Sequence, residues 1–205
     1  MHSLLEAALA FAAVAHQGQK RKGTGIPYIV HPVGVMVVLL QAGETDAEVL
    51  AAALLHDTVE DAGITLAELR EKFGERVAEI VAGCSEPDKR AAWEARKQHT
   101  VAYLRTAPRA VQLVAVADKL HNLRSLVADY ADIGEPLWQR FKRGRAEIAW
   151  YYRAVIDSLK AGGLGEHALL KELERTAARF FDAPAAPGGA TAPGMVMAQI
   201  DKITL

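Results

Sequence analysis

The chain contains 205 residues, of which 51% are hydrophobic, and it carries a formal net charge of −1. This length suits one domain, or one domain with a tail, and the apolar content is large enough to form a sizeable core. The near-neutral charge gives no support to a general role in binding nucleic acid or other polyanions. No uninterrupted apolar run approaches the roughly 18 residues that a membrane span requires, so we expect no membrane insertion.

Two features bear on location. Residues 1–6 lack the basic start and the long apolar stretch of a signal peptide. Cys84 is the single cysteine of the chain, which excludes an intrachain disulfide and is compatible with a reducing compartment. We therefore expect a cytoplasmic protein.

The spacing of apolar residues predicts an all-α fold, and no series of alternating segments joined by hairpin turns indicates a sheet. Thr45 and Thr65 each have a glutamate three residues later, the pattern of a capping box at a helix start. Gly43, Gly63 and Gly74 are predicted helix stops. The predicted helices cover residues 4–16, 32–42, 46–60, 65–73, 75–84, 91–106, 108–130, 136–161 and 164–181.

Two segments interrupt the helical pattern. Residues 17–28 contain three adjacent cations, three glycines and a proline, and this composition predicts a loop. Residues 183–194 are rich in alanine, proline and glycine, which is typical of a linker, and residues 195–205 could form a short docked segment. The expected organisation is one domain over residues 1–182, followed by a linker and tail over residues 183–205.

The most informative stretch is residues 54–61, which place four ionisable side chains at the end of an apolar segment. On a continuous helix His56 and Glu60 share one face, and so do Asp57 and Asp61. Burying that face without compensation is costly. A divalent cation is the simplest compensation, because imidazole and carboxylate groups both bind metals.

Two further positions, His31 and Asp118, lie far away in the sequence, and spacing alone does not join them to this stretch. A resemblance to a known family connects them with this stretch, and it rests on four motifs that occur in the same order. The motifs are QKRK at residues 19–22, PYIVHP at 27–32, HDTVED at 56–61 and ADKLHNLRSL at 117–126.

From about residue 4 to about residue 161, the chain resembles the hydrolase domain of bifunctional (p)ppGpp synthetase/hydrolases and the free-standing small alarmone hydrolases. The H…HD…D signature of HD-domain metal phosphohydrolases falls on His31, His56, Asp57 and Asp118. The resemblance implies a compact, multi-helix HD-domain phosphohydrolase fold. It also implies hydrolysis of the 3′-pyrophosphate of (p)ppGpp to GDP or GTP and pyrophosphate, without synthetase activity.

The resemblance implies that His31, His56, Asp57 and Asp118 bind a metal. Mixed nitrogen and oxygen ligation fits Mn²⁺, Fe²⁺ or Zn²⁺ better than Ca²⁺, and the resemblance favours Mn²⁺. The alternative is four unrelated polar residues that cap helices or pair within the core.

The resemblance assigns the pair Glu60 and Asp61 to hydrolysis. Either carboxylate could orient or deprotonate the attacking water, and the choice between the two stays open. The alternative is a solvated helix end.

The resemblance also implies four substrate-binding residues. Asn122 and Ser125 lie at nearly the same helical angle as Asp118, and the resemblance places both in the nucleotide pocket. It places Arg21 near the guanine ring and Lys22 near the phosphates. The alternatives are ordinary hydrogen bonds on a helix surface and a solvated basic loop.

Four neighbouring residues receive other interpretations. We expect Tyr28 to be a packing residue with a polar hydroxyl and His121 to be structural, because its helical angle diverges from that of Asp118. We expect Lys119 and Arg124 to be solvated or salt-bridged.

Three rival functions remain open. The chain could be an HD phosphohydrolase acting on another nucleotide, such as an adenine alarmone or NADPH. It could instead be a non-catalytic nucleotide-binding regulator or a purely structural helical domain. The sequence leaves the oligomeric state open and predicts a small-molecule nucleotide as the partner.

Overall fold

Ten α-helices account for most of residues 3–86 and 90–182, the parts of the chain that the computed structural model describes. No β-strand occurs within these residues beyond an isolated bridge between Lys20 and Pro27, so the predicted all-α fold is confirmed. The helices are α1 (Leu4–Ala15), α2 (Val30–Gln41), α3 (Ala47–Leu55), α4 (Thr58–Ala62), α5 (Leu66–Phe73), α6 (Glu75–Cys84), α7 (Trp93–Leu104), α8 (Arg109–Ile133), α9 (Arg145–Leu159) and α10 (Ala168–Phe181).

Helix α3 forms the centre of the fold. Every residue from Val49 to Leu55 is at most 3% exposed, so this helix is surrounded on all sides. A helix that is apolar all round belongs in a protein interior, and each leucine buried there contributes about 1.5–3 kcal/mol through the hydrophobic effect. Helix α3 packs against α1, α2, α6 and α8.

Helices α2, α3 and α8 pack against one another in all three pairings. Helix α8 is the longest of the described helices, with 25 residues, and it also packs against α6, α9 and α10. This three-way packing matters for function, because the three helices bring distant parts of the sequence into one place. None of the helices in the described residues is both long enough and apolar enough to cross a bilayer.

The predicted helix over residues 46–60 is wrong, because the chain bends at His56 and Asp57 between α3 and α4. The Nδ1 atom of His56 donates a hydrogen bond to the carbonyl oxygen of Ala53 (2.8 Å), and the Thr58 hydroxyl donates to the carbonyl oxygen of Leu55 (2.7 Å). These side chains take backbone acceptors that a continuing helix would use. His56 and Glu60 therefore do not lie on one continuous helix, which corrects the expectation that they share one helical face.

The predicted helix over residues 136–161 is wrong in its first third. Residues Glu135–Arg140 form a 3₁₀ helix with Pro136 in its first turn, the chain is extended at Phe141, and α9 begins only at Arg145. The fully buried Leu137 anchors the 3₁₀ segment in the interior, and Trp138 packs beside Phe180 of α10. After Leu159 a π-helical segment (Lys160–Leu164) precedes α10, which begins later than predicted.

Helix ends follow the sequence signals in most places. Thr65 and Glu68 form the predicted capping box, and Gly63 and Gly74 end α4 and α5 with positive φ angles. The box predicted at Thr45 does not form, because Asp46 is the residue that caps α3 by accepting from the backbone N–H of Glu48. The predicted linker and tail over residues 183–205 lie outside the described residues.

Candidate metal centre

Three helices deliver the four predicted ligands to one place. His31 lies in the first turn of α2, His56 and Asp57 occupy the bend between α3 and α4, and Asp118 lies in the middle of α8. Both residues of the bend, His56 and Asp57, face the same point.

The four side chains converge closely. The Nε2 atom of His31 lies 3.1 Å from Oδ1 of Asp118 and 3.4 Å from Oδ2 of Asp57. The Nε2 atom of His56 lies 3.1 Å from the same Asp57 oxygen and 3.8 Å from Oδ1 of Asp118. His31, His56 and Asp118 each offer one ligand atom, and these atoms all lie within 4.8 Å of one another. All four residues that the sequence proposed as ligands therefore meet around one point.

The donor chemistry fits a metal. Because Nδ1 of His56 donates to the Ala53 carbonyl, the neutral ring carries its lone pair on Nε2. In the neutral ring this buried Nε2 atom makes no hydrogen bond, because the carboxylate oxygens that it faces are acceptors as well. A buried polar atom without a partner is costly, and coordination to a cation removes that cost.

The electrostatics of the cluster favour charged carboxylates. Burial would raise the pKa of Asp118, but Lys119 and the two imidazoles outweigh it and hold that pKa far below its usual range. The pKa of Asp57 is likewise held well below its usual range, against the effect of burial, mainly by His56 and His31. Both side chains are therefore carboxylates at neutral pH, the form that binds metal.

A proton competes with a metal at His56. Burial alone would lower the pKa of His56, but the neighbouring Asp57 carboxylate raises it from 6.5 to about 9. In the metal-free protein at neutral pH, a proton on Nε2 therefore offsets part of the negative charge. Metal binding must displace that proton, so the affinity for metal falls as the pH falls.

Tyr28 connects the ligands with the predicted catalytic pair. Its hydroxyl donates to Oδ2 of Asp57 at 2.7 Å and lies 3.3 Å from Oδ2 of Asp61. The side chain of Gln19 donates to the backbone carbonyl of Asp61 (2.7 Å), which fastens the basic loop to α4. Glu60 lies in the same short helix, and its Oε1 atom accepts from the backbone N–H of Glu86. Asp61 thus lies beside the ligand set, and Glu60 also contacts the segment that follows α6.

Arg21 and Asn122 form a hydrogen-bonded chain that ends on a ligand. Nη2 of Arg21 donates to Oδ1 of Asn122 (2.8 Å), and Nδ2 of Asn122 donates to Oδ1 of Asp118 (2.6 Å). The guanidinium also lies over the Tyr28 ring, 5.8 Å from its centroid. The basic loop therefore closes over the centre and presents a planar cation at its edge.

The other two predicted substrate residues, Lys22 and Ser125, contact Phe141 and His121. The ammonium group of Lys22 sits over the Phe141 ring, 4.9 Å from its centroid. The Ser125 hydroxyl donates to the backbone carbonyl of His121 in its own helix (3.0 Å). Lys119 and Arg124 are salt-bridged, as expected, to Asp118 (2.6 Å) and Glu172 (2.5 Å), respectively.

Sequence reasoning missed two features of the centre. Tyr28 does more than pack, because its hydroxyl bridges two carboxylates, and no sequence signal specified those partners. His121 lies directly against the predicted ligand His31, with the two Nδ1 atoms 2.9 Å apart. Burial and the nearby charge of His31 lower the pKa of His121 to about 4, so its ring is neutral at neutral pH. The sequence signal that could have indicated this contact is the glycine at position 34, inside the helix that carries His31.

The fold and the four converging side chains fit a helical domain with a possible metal site, and comparisons with known proteins identify its family. A model of the HD domain family matches residues 8–148. This chain belongs to the HD domain family.

Similar proteins include enzymes named for hydrolysis of one nucleotide. A guanosine-3′,5′-bis(diphosphate) 3′-pyrophosphohydrolase, MESH1 of Danio rerio, is 47% identical over 118 residues, which cover 57% of this chain and 65% of the relative. The enzyme named guanosine-3′,5′-bis(diphosphate) 3′-pyrophosphohydrolase in Aquifex aeolicus is 42% identical over 180 residues, covering 86% of this chain and 24% of the relative. The solved structure of a metazoan SpoT ortholog that hydrolyses ppGpp matches with a TM-score of 0.74 and 28% identity, covering 88% of this chain and 98% of the other.

The ligand set makes a direct prediction about metal binding. Replacing His56 with alanine removes a nitrogen ligand, and we expect the affinity for Mn²⁺, used as a probe, to fall by more than the roughly 10- to 100-fold typical of losing an outer partner of a ligand. Metal affinity is measured by titration of the metal-depleted chain, and circular dichroism checks helical content. The control is His99→Ala, since His99 is exposed on α7. Equal affinities for wild type and His56→Ala would contradict the assignment.

Proposed function

We propose that this chain is a metal-dependent hydrolase that removes the 3′-pyrophosphate of guanosine 3′,5′-bis(diphosphate) alarmones, ppGpp and pppGpp. The products are GDP or GTP and pyrophosphate. The observation that carries the proposal is the buried cluster of two imidazoles and two carboxylates, with Asp61 joined to it through Tyr28. The likeness to enzymes named for this reaction supports the choice of substrate.

The proposal includes Mn²⁺ as the resident metal, held by His31, His56, Asp57 and Asp118. Nitrogen and oxygen donors together fit Mn²⁺ and other divalent transition metals better than Ca²⁺. A divalent metal bound there lowers the pKa of bound water and stabilises charge on phosphoryl oxygens.

Glu60 and Asp61 serve as the acid–base pair in this proposal. Asp61 lies at one end of the Tyr28 bridge, and Asp57 lies at the other end. A carboxylate would therefore lie near water and phosphate bound at the proposed metal. Glu60 lies one residue before it in the same turn of α4. Either group can take the proton of the attacking water, because both are acceptors when ionised.

Arg21, Lys22, Asn122 and Ser125 hold the nucleotide in this proposal. The planar guanidinium of Arg21 can stack on a base and bind phosphate with two N–H groups, while the Lys22 ammonium supplies a point charge. Asn122 can transmit the position of Arg21 to the ligand Asp118, since it bonds to both. Nucleotide binding and metal geometry are therefore coupled through one amide.

The proposal assigns no synthetase activity to this chain, because the family match lies within residues 8–148, which carry the hydrolase centre. A cytoplasmic location completes the proposal, since a single cysteine fits a reducing compartment.

A substrate panel tests the proposal. Metal-depleted chain is reloaded with Mn²⁺ and given ppGpp, pppGpp, their adenine analogues and NADPH, and the released phosphates are resolved. We expect pyrophosphate in equal amount to GDP or GTP, with the highest kcat/KM for the guanine alarmones. A higher kcat/KM for an adenine alarmone or NADPH would assign the centre to another nucleotide. Binding of ppGpp without turnover of any substrate would instead identify a non-catalytic regulator.

The second prediction separates chemistry from binding. The double variant Glu60→Gln, Asp61→Asn keeps side-chain shape but removes both candidate bases. We expect kcat on ppGpp to fall by at least about 10²-fold, the lower end of general-base effects, with Mn²⁺ still bound. Glu71→Gln, on the exposed surface of α5, is the matched control. An unchanged kcat with a raised KM would mean that the pair binds substrate and does not transfer the proton.

The third prediction concerns Arg21, whose guanidinium donates to Asn122. Arg21→Lys preserves the charge but not the planar set of donors. We expect kcat/KM to fall roughly 10- to 150-fold, which corresponds to about 1.5–3 kcal/mol, because a hydrogen bond to a charged group contributes that much. Steady-state kinetics measure the loss, and Arg105→Lys on the exposed surface is the control. A kcat/KM near that of wild type would mean that the loop acts only as a general positive charge.

A further inference from the structure

His121 contacts the predicted metal ligand His31, and this contact limits which ring nitrogens can carry a proton. Its Nδ1 atom lies 2.9 Å from Nδ1 of His31, and the two rings are tilted by 49° with centroids 4.9 Å apart. Two imidazole nitrogens that close form a hydrogen bond only when one donates and the other accepts. The proton arrangement on His31 is therefore tied to that on His121.

Metal binding decides which nitrogen donates. The Nε2 atom of His31 faces the oxygens of Asp57 and Asp118, so this is the atom that points into the centre. If Nε2 offers its lone pair to a metal, the ring proton lies on Nδ1, which donates to His121. His121 accepts on Nδ1 and carries its own proton on Nε2.

Gly34 provides an independent observation. It lies inside α2, three residues after His31, and its φ angle is not positive, so the backbone there does not require glycine. A Cβ atom at this position would lie 2.1 Å from Nε2 and 2.4 Å from Cδ2 of His121. Glycine in a helix interior costs about 0.5–1 kcal/mol relative to alanine. That cost has a structural reason here, because the His121 ring occupies the space that a side chain at position 34 would fill.

We infer that His121 is a positioning residue for the metal centre, and that Gly34 provides the space that holds the His121 ring against His31. Asp118 and His121 lie three residues apart on α8, so one helix supplies both a ligand and the acceptor that orients another ligand. The inference rests on the proposed metal centre and extends it to residues outside the ligand set. A hydrogen-bond partner on the second nitrogen of a ligating histidine fixes its tautomer and ring orientation.

Metal affinity, measured by titrating the metal-depleted full chain with Mn²⁺, tests the inference without relying on activity. His121→Phe keeps an aromatic ring but removes the acceptor, and we expect binding to weaken by about 10- to 100-fold, the usual effect of losing such a partner. His121→Asn can place an amide oxygen near the original Nδ1 position, so we expect it to recover much of the loss. His99→Phe is the control, since His99 is exposed on α7.

Gly34→Ala supplies a second test through a double-mutant cycle. In the wild-type background the added methyl group collides with the His121 ring, and we expect weaker metal binding even though alanine favours the helix. In the His121→Asn background the side chain is smaller, so we expect the same substitution to have little further effect. Such non-additivity is the mark of two residues in direct contact.

The outcomes distinguish this inference from the metal proposal itself. If wild type binds Mn²⁺ and His56→Ala abolishes binding, the proposed metal centre is supported. If His121→Phe then binds as tightly as wild type, or His121→Asn binds no better than His121→Phe, the positioning role is overturned. If wild type binds no metal, or His56→Ala binds Mn²⁺ as tightly as wild type, the proposed metal centre itself is wrong.

Discussion

The charge balance among two buried imidazoles and two carboxylates is the constraint on which the rest of the site depends. His31 and His56 are at most 4% exposed, and both face the oxygens of Asp57 and Asp118. Two ionised carboxylates in such a place require a positive partner, because an unpaired buried charge is costly. Without a metal, a proton on His56 offsets part of that charge, and a divalent cation can replace it.

The packing of the helices holds these four side chains in a fixed geometry. Helix α3 contacts α1, α2 and α8, and its alanines at positions 51, 52 and 53 are fully buried. Small side chains at a contact allow helix axes to approach closely, which brings three helices near one another around the bend at His56. Each of three predicted ligands also has an outer contact. Tyr28 contacts Asp57, Asn122 and Lys119 contact Asp118, and His121 contacts His31.

The sequence predicted the parts of the structure that local chemistry controls. Helix stops at Gly63 and Gly74 and the cap at Thr65 have local causes, and each appears where it was expected. The bend after Leu55 was not predicted, because it depends on side-chain bonds that compete with a favourable helical pattern. The contact of His121 with His31 joins residues 90 positions apart, and only the tertiary fold brings them together.

We propose that one divalent metal occupies the point where α2, α8 and the bend after α3 meet. Anomalous diffraction from crystals of the full chain loaded with Mn²⁺ measures this directly. We expect one strong manganese peak at coordination distance from Nε2 of His31, Nε2 of His56 and the carboxylates of Asp57 and Asp118. A peak located elsewhere, or no peak among these four side chains in crystals that contain bound manganese, would contradict it.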